Sequence, residues 1–157
     1  ADVEDCPTFI QMLPAIMTLL KGRMLAAYNL PYDWGILDSE MHRTVGLRYP
    51  WYGICGKVVA MKVDEKQQGK GFHRLCNVAK RRGLTYEEHD AAADALTAAE
   101  ILDIMLPELS KSLSVKFNSF REYWAWQRVY AIEQEAILRK YFVSKGRERD
   151  EWPWTDL

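Results

Sequence analysis

The stretch Met24-Leu25-Ala26-Ala27-Tyr28-Asn29-Leu30-Pro31-Tyr32-Asp33 joins a strand signal to a helix start. Its first five residues form an apolar run of the length of a buried strand. Asn29-Leu30-Pro31 breaks that run, and Pro31, with no N–H to leave unpaired, suits the first turn of a helix. The spacing predicts that helix over residues 32–43. Working outward, a loop with Gly46, Pro50, Gly53 and Gly56 leads to residues 57–63 (KVVAMKV), which read as a second strand. A polar loop at 64–71 follows, then Phe72, Leu75, Cys76 and Ala79 mark a helix closed by Gly83. Upstream, Phe9, Met12, Leu13, Ile16, Met17 and Leu20 recur at three- and four-residue steps. They predict a helix over 8–21, stopped by Gly22, with a kink or a late start at Pro14. Strands alternating with helices imply an α/β layer arrangement. Two strands are too few for a stable open sheet, so part of the sheet is expected to lie outside this sequence.

Alanine-rich residues 90–106 predict the strongest helix. Residues 110–118 read as a linker. Ser119 and Glu122 have the S-x-x-E spacing of a capping box, opening a long helix to about residue 142. Its expected apolar face is Phe120, Tyr123, Trp124, Tyr130, Ile137 and Tyr141. A charged run at 144–150 precedes Trp152-Pro153-Trp154, which cannot be helical through Pro153. The expected division is therefore residues 1–109, a linker at 110–118, and a C-terminal helix with an aromatic tail at 119–157. The two tail tryptophans fit three roles: docking on the same domain, anchoring a partner, or stacking on single-stranded bases.

Composition narrows the function classes. A chain of 157 residues with 48% hydrophobic content fits one packed domain and excludes wholesale disorder. A net charge of -1 gives no global basic field for nucleic acid, so such a site needs a local patch or metal ions. Three cysteines without C-x-x-C spacing argue against a disulfide framework and a structural zinc site, and fit a cytoplasmic protein. No apolar run approaches the ~20 residues of a transmembrane helix. The chain opens at Ala1 without a basic or apolar leader. The expectation is that numbering begins inside a longer polypeptide or that processing made this end.

Charged residues on apolar stripes are the chemical signal. In the helix after Asp90, the buried face by spacing is Ala91, Ala95, Ala98, Ile101, Leu102 and Met105, and Asp94 lies on it. Asp103 falls opposite and is expected in solvent. A carboxylate facing a core is costly unless donors or a cation meet it, so Asp94 either binds an amide or arginine or ligates a metal. Asp33 shares a register with Ile36, Leu37 and Met41, where the competing reading is ordinary helix-dipole stabilisation. His89, five residues before Asp94, is either a helix-start residue or a general base.

These residues together resemble a known family. Leu25-Ala26-Ala27-Tyr28-Asn29-Leu30-Pro31-Tyr32-Asp33 is similar to the second motif of the DEDDh superfamily of 3′–5′ exonucleases, the proofreading enzymes like the epsilon subunit of DNA polymerase III. His89-Asp90-Ala91-Ala92-Ala93-Asp94-Ala95 resembles their third motif. Phe72-His73-Arg74-Leu75 through Gly83-Leu84 resembles the helix before that motif, and the resemblance spans about residues 7–105. It implies a ribonuclease H-like exonuclease fold with its N-terminal strands missing from this chain, followed by a long C-terminal helix. It implies two Mg²⁺ or Mn²⁺ ions, with Asp94 holding the first and Asp33 the second through water. It implies His89 as the catalytic base, Asn29 and Tyr28 as substrate-binding residues, and a single-stranded nucleic acid 3′ end as substrate. A polymerase or other protein partner, reached through the C-terminal helix with Trp152 and Trp154, is also implied by resemblance alone.

The family's first motif, an aspartate and a glutamate two apart on the first strand, has no counterpart. Asp2-Val3-Glu4 and Asp38-Ser39-Glu40 have the spacing but the wrong context. Tyr28 stands where the family usually has histidine. Three readings follow: the C-terminal part of an active exonuclease, a catalytically silent exonuclease-like module that binds nucleic acid or a polymerase, or an ordinary interaction domain.

Overall fold

The apolar run at 24–28 forms β1 (Leu25–Ala27), and β2 (Gly53–Cys55) pairs with it in parallel, Ala26 opposite Ile54. A computed structural model of the chain describes residues 5–48, 52–66, 69, 71–87 and 90–147. Parallel strands need a crossover, and α2 (Leu30–Val45) provides it, with Pro31 in its first turn as expected. The other helices are α1 (Phe9–Leu20), α3 (Gly56–Val63), α4 (Leu75–Arg81), α5 (Ala91–Leu113) and α6 (Phe120–Ser144). The described chain is thus a mostly helical α/β arrangement around a small two-stranded parallel sheet.

Alternation along β2 sorts the core into two layers. Ile54 joins Tyr28, Val78 and Ala79 of α4, and Ala98, Ile101 and Met105 of α5. Cys55 joins Leu30 and Trp34 of α2, Val58 of α3, and Trp124 and Ala131 of α6. Phe9, Leu13, Met17 and Leu20 of α1 close over this second cluster. Gly53 is required by crowding: a Cβ there would meet the Leu25 carbonyl oxygen at 2.6 Å and a Leu30 methyl at 2.8 Å.

The free edge of β2 is sealed by a side chain. The Gln127 carboxamide oxygen accepts from Cys55 N–H at 2.9 Å, while its NH₂ group donates to Gly53 C=O. One buried glutamine of α6 thereby satisfies both polar groups that a third strand would have paired. The Leu25 N–H donates to Tyr52 C=O, so by alternation the Ala26 main-chain groups face away from β2, along the outer edge of β1.

Several sequence expectations are corrected. Residues 57–63 form helix α3 instead of a strand, and the strand is the preceding Gly-Ile-Cys. Val58, Val59 and Ala60 are all buried because α3 is packed against α5 on one side and α6 on the other, so its apolar run looks like that of a buried strand. α1 starts at Phe9 and runs through Pro14, opened by the Gln11 carboxamide accepting from the Thr8 N–H and hydroxyl. α5 passes Pro107 and continues to Leu113, so residues 110–113, read as linker, are its last turn, ended by Ser114 at φ 54°. Leu109, fully buried, explains the continuation.

The Ser119–Glu122 capping box does not form: Ser119 caps nothing with its side chain, and Glu122 accepts from the Asn118 N–H. The buried face of α6 is Trp124, Gln127, Ala131 and Glu135, whereas Phe120, Ile137 and Tyr141 are exposed. Two polar residues on the inward stripe hid it from hydropathy. Trp152 and Trp154 lie outside the described residues.

Candidate nucleic-acid and metal site

Asp94 stands one turn inside α5. Asp90, the N-cap, already satisfies the helix start by accepting from Ala93 N–H at 2.7 Å, so Asp94 is not spent on capping. Three and four residues on, Thr97 and Ala98 begin the buried stripe that continues through Ile101, Leu102 and Met105. Ala91 and Ala95, expected on that face, are exposed, as is Asp103, which was expected there. The Asp94 Oδ1 is buried and has no hydrogen-bond partner among the described residues. A buried carboxylate oxygen without a donor is costly, and a hard cation is the ligand that removes the cost. Among the described residues no amide or arginine meets that oxygen, although the competing reading requires one.

Asp33 lies in the first turn of α2, half-buried, with Met41 of its register buried and Ile36 exposed. Loss of solvation pushes its carboxyl above the ordinary aspartate value, while a bond from its own main-chain N–H pulls the other way. Among the described residues no cation offsets the burial. The dipole of α2 still favours its charge, so helix stabilisation and metal binding both fit this residue. Each carboxylate is by its chemistry a donor suited to Mg²⁺ or Mn²⁺. Among the described residues no three His, Cys, Asp or Glu side chains gather closely enough to hold an ion. His89 lies outside the described residues.

Asn29 and Tyr28 are brought together at the C-terminal end of β1, where both line a cavity of about 520 Å³. Lys57, His73 and Arg74 line it as well. The Tyr28 ring is buried and its hydroxyl donates to His73 C=O at 2.9 Å, with burial driving the phenol well above its usual range. Its polar end is therefore committed to holding the turn before α4. His73 is pushed below the ordinary histidine value, first by burial, so the imidazole stays neutral and formal positive charge at the cavity comes from Lys57 and Arg74.

Asn29 also borders a second, shallower cavity along α2 with Tyr32 and Glu40. The relation of the two carboxylates to this end of the sheet is set by packing. Asp33 follows Asn29 by one turn of α2, and Ala98, one turn after Asp94, shares a cluster with Tyr28. Lys57, His73 and Arg74 were not singled out from sequence. The Phe72-His73-Arg74-Leu75 segment was noticed, but its place beside Asn29 depends on long-range contacts that spacing does not carry.

Residues 1–102 fit the model of a family described as Exonuclease, the RNase T group. No curated protein and no solved structure matches the chain. No helix among the described residues is long and apolar enough to cross a membrane.

Proposed function

The chain belongs to the exonuclease family, and we propose that it removes nucleotides from single-stranded 3′ ends, with DNA as substrate, in a ribonuclease H-like fold. The observation that carries the reading is Asp94: a buried carboxylate oxygen with no hydrogen-bond partner among the described residues, one turn before the buried stripe of α5 and inside the family-matched segment. Asp94 and Asp33 would hold the divalent ions, and His89, in its neutral form, would accept the proton of the attacking water. Asn29, with the ring of Tyr28, would place the terminal nucleotide. A bound pair of Mg²⁺ or Mn²⁺ ions supplies the positive charge that stabilises the attacking and leaving oxygens.

The first acidic motif belongs, in this reading, to a strand added along the open outer edge of β1, because Gln127 occupies the edge of β2. The silent-module alternative shares the fold but not the turnover. The C-terminal helix, with Trp152 and Trp154, remains a proposed contact for a polymerase or other protein.

The experiment is degradation of oligonucleotides labelled at either end, with Mn²⁺ or with a chelator. The proposal expects loss of 3′ label first, abolished by the chelator and by Asp94→Asn. His89→Ala should slow turnover by about 10²–10⁴-fold. Label lost first from the 5′ end, or hydrolysis indifferent to Asp94→Asn, overturns it. A polypeptide that carries the added strand with its acidic motif, binds the oligonucleotide with Mn²⁺ present and leaves it intact is the silent module.

A further inference from the structure

The cavity beside Asn29 has a wall that the family match does not contain. Leu138, on α6, lines it opposite the turn at 71–75, and α6 begins eighteen residues beyond the matched segment 1–102. We propose that this cavity is a nucleotide subsite of the exonuclease reading, on which the nucleotide class rests, and that Leu138 sets which base it accepts.

Chemistry and volume fit. Met61, Phe72, Leu75 and Leu138 give an apolar lining for a flat base, and Lys57 and Arg74 offer cations for its phosphate. No carboxylate is among the described lining residues. About 520 Å³ is within the range of roughly 300–1,000 Å³ that small organic ligands occupy.

The wall is also preformed. Three successive main-chain carbonyls of the turn are each held by a side chain: Gly71 by Asn77 at 2.8 Å, Phe72 by Arg81 at 2.8 Å, and His73 by Tyr28 at 2.9 Å. The Arg81 guanidinium lies 3.6 Å from the Phe72 ring centre and also bonds Asp64, tying the turn to the end of α3. On the other side, Gln127 fixes α6 to β2, and the Tyr130 hydroxyl donates to Met61 C=O at 3.4 Å. A site held open on both sides does not spend binding energy on ordering itself. Leu138 is the lining side chain that α6 contributes.

Discrimination by size in an apolar pocket is worth roughly 10–200-fold per methylene. Titration of the full chain with dAMP and dCMP, followed by calorimetry, tests the assignment. Leu138→Phe, which narrows the cavity, should weaken dAMP by roughly tenfold and dCMP less. Leu138→Ala should bring the two affinities closer together. Arg74→Gln should weaken both nucleotides and leave the nucleosides unchanged. Ile137→Ala, on the exposed side of the same helix, should change nothing, and melting curves establish that each variant is folded.

Absence of saturable binding to the unmodified chain, or affinities indifferent to both Leu138→Phe and Arg74→Gln, overturns the subsite. Nucleotide binding governed by Leu138 in a chain that degrades no oligonucleotide leaves the subsite standing and removes the nuclease. Degradation with unaltered base preference in the Leu138 variants does the reverse.

Discussion

Burial works against ionisation at Asp33. The folded chain raises its carboxyl above the ordinary 3.8, so the folded state holds the proton more tightly than the unfolded one. Stability from this group is therefore greatest at low pH and declines as pH rises from 3.8 through the folded value. Above the folded value the ionised, partly desolvated carboxylate costs the fold stability. Asp33→Asn keeps the shape and removes the charge. It should raise the melting temperature at pH 7 without divalent ions and leave it almost unchanged at pH 3. An ion that binds the folded chain adds stability in proportion to the logarithm of its occupancy, so Mn²⁺ should raise the melting temperature of the unmodified chain more than that of Asp33→Asn. Scanning calorimetry at the two pH values, with and without Mn²⁺, measures all four numbers. A lower melting temperature for Asp33→Asn at pH 7 would show that the carboxylate is satisfied by the protein alone, and its role as an ion ligand would lose its physical basis.

Among the elements, β2 depends most on a distant residue. It is three residues long, and its outer edge is closed by Gln127, 72 positions from Cys55. Gln127→Leu preserves bulk but leaves Cys55 N–H and Gly53 C=O buried without partners, at about 1–3 kcal/mol each. For a chain of this size 1 kcal/mol moves the melting temperature by about 2–4 °C, so a drop of roughly 5–15 °C is expected. Thermal melting of Gln127→Leu beside Ile137→Ala measures it, and equal melting temperatures would show that water or another group already serves those two atoms. The same element explains what could be read in advance. β1 was legible because five apolar residues end at Asn29-Leu30-Pro31. β2 was not, since Gly-Ile-Cys has no period and owes its strand conformation to Leu25 on one side and Gln127 on the other. α3 passed for a strand because burial on two sides erases amphipathic spacing. Asp94 stands out in the sequence as a charge on a mostly apolar register, and Asn29 marks the end of the strand. Lys57, Arg74 and Leu138 were not legible, because only tertiary packing brings three separate segments to one cavity.

For the molecule as a whole, the family boundary and the folding boundary do not coincide. The match ends at residue 102, inside α5, yet the second buried cluster is completed by α6. Trp124 stacks on Trp34 with ring centres 6.0 Å apart and planes within 10°, and Ala131 is almost fully buried in the same cluster. Losing one large buried aromatic costs about 3–5 kcal/mol. Adding the two edge bonds of Gln127 brings the contribution of α6 close to the 5–15 kcal/mol that holds a whole domain together. The chain should therefore unfold in one transition, and a version ending at Asn118 should show none. That version should instead expose apolar surface, giving strong dye binding and far-ultraviolet signal without near-ultraviolet signal. Calorimetry and circular dichroism on the two lengths decide it: cooperative melting of residues 1–118 near the temperature of the full chain would mean that α6 is an appendage. If α6 is integral, loss of activity on truncation reports unfolding alone. Its part in the site must then be measured with point variants such as Leu138→Ala, which leave Trp124 and Gln127 in place.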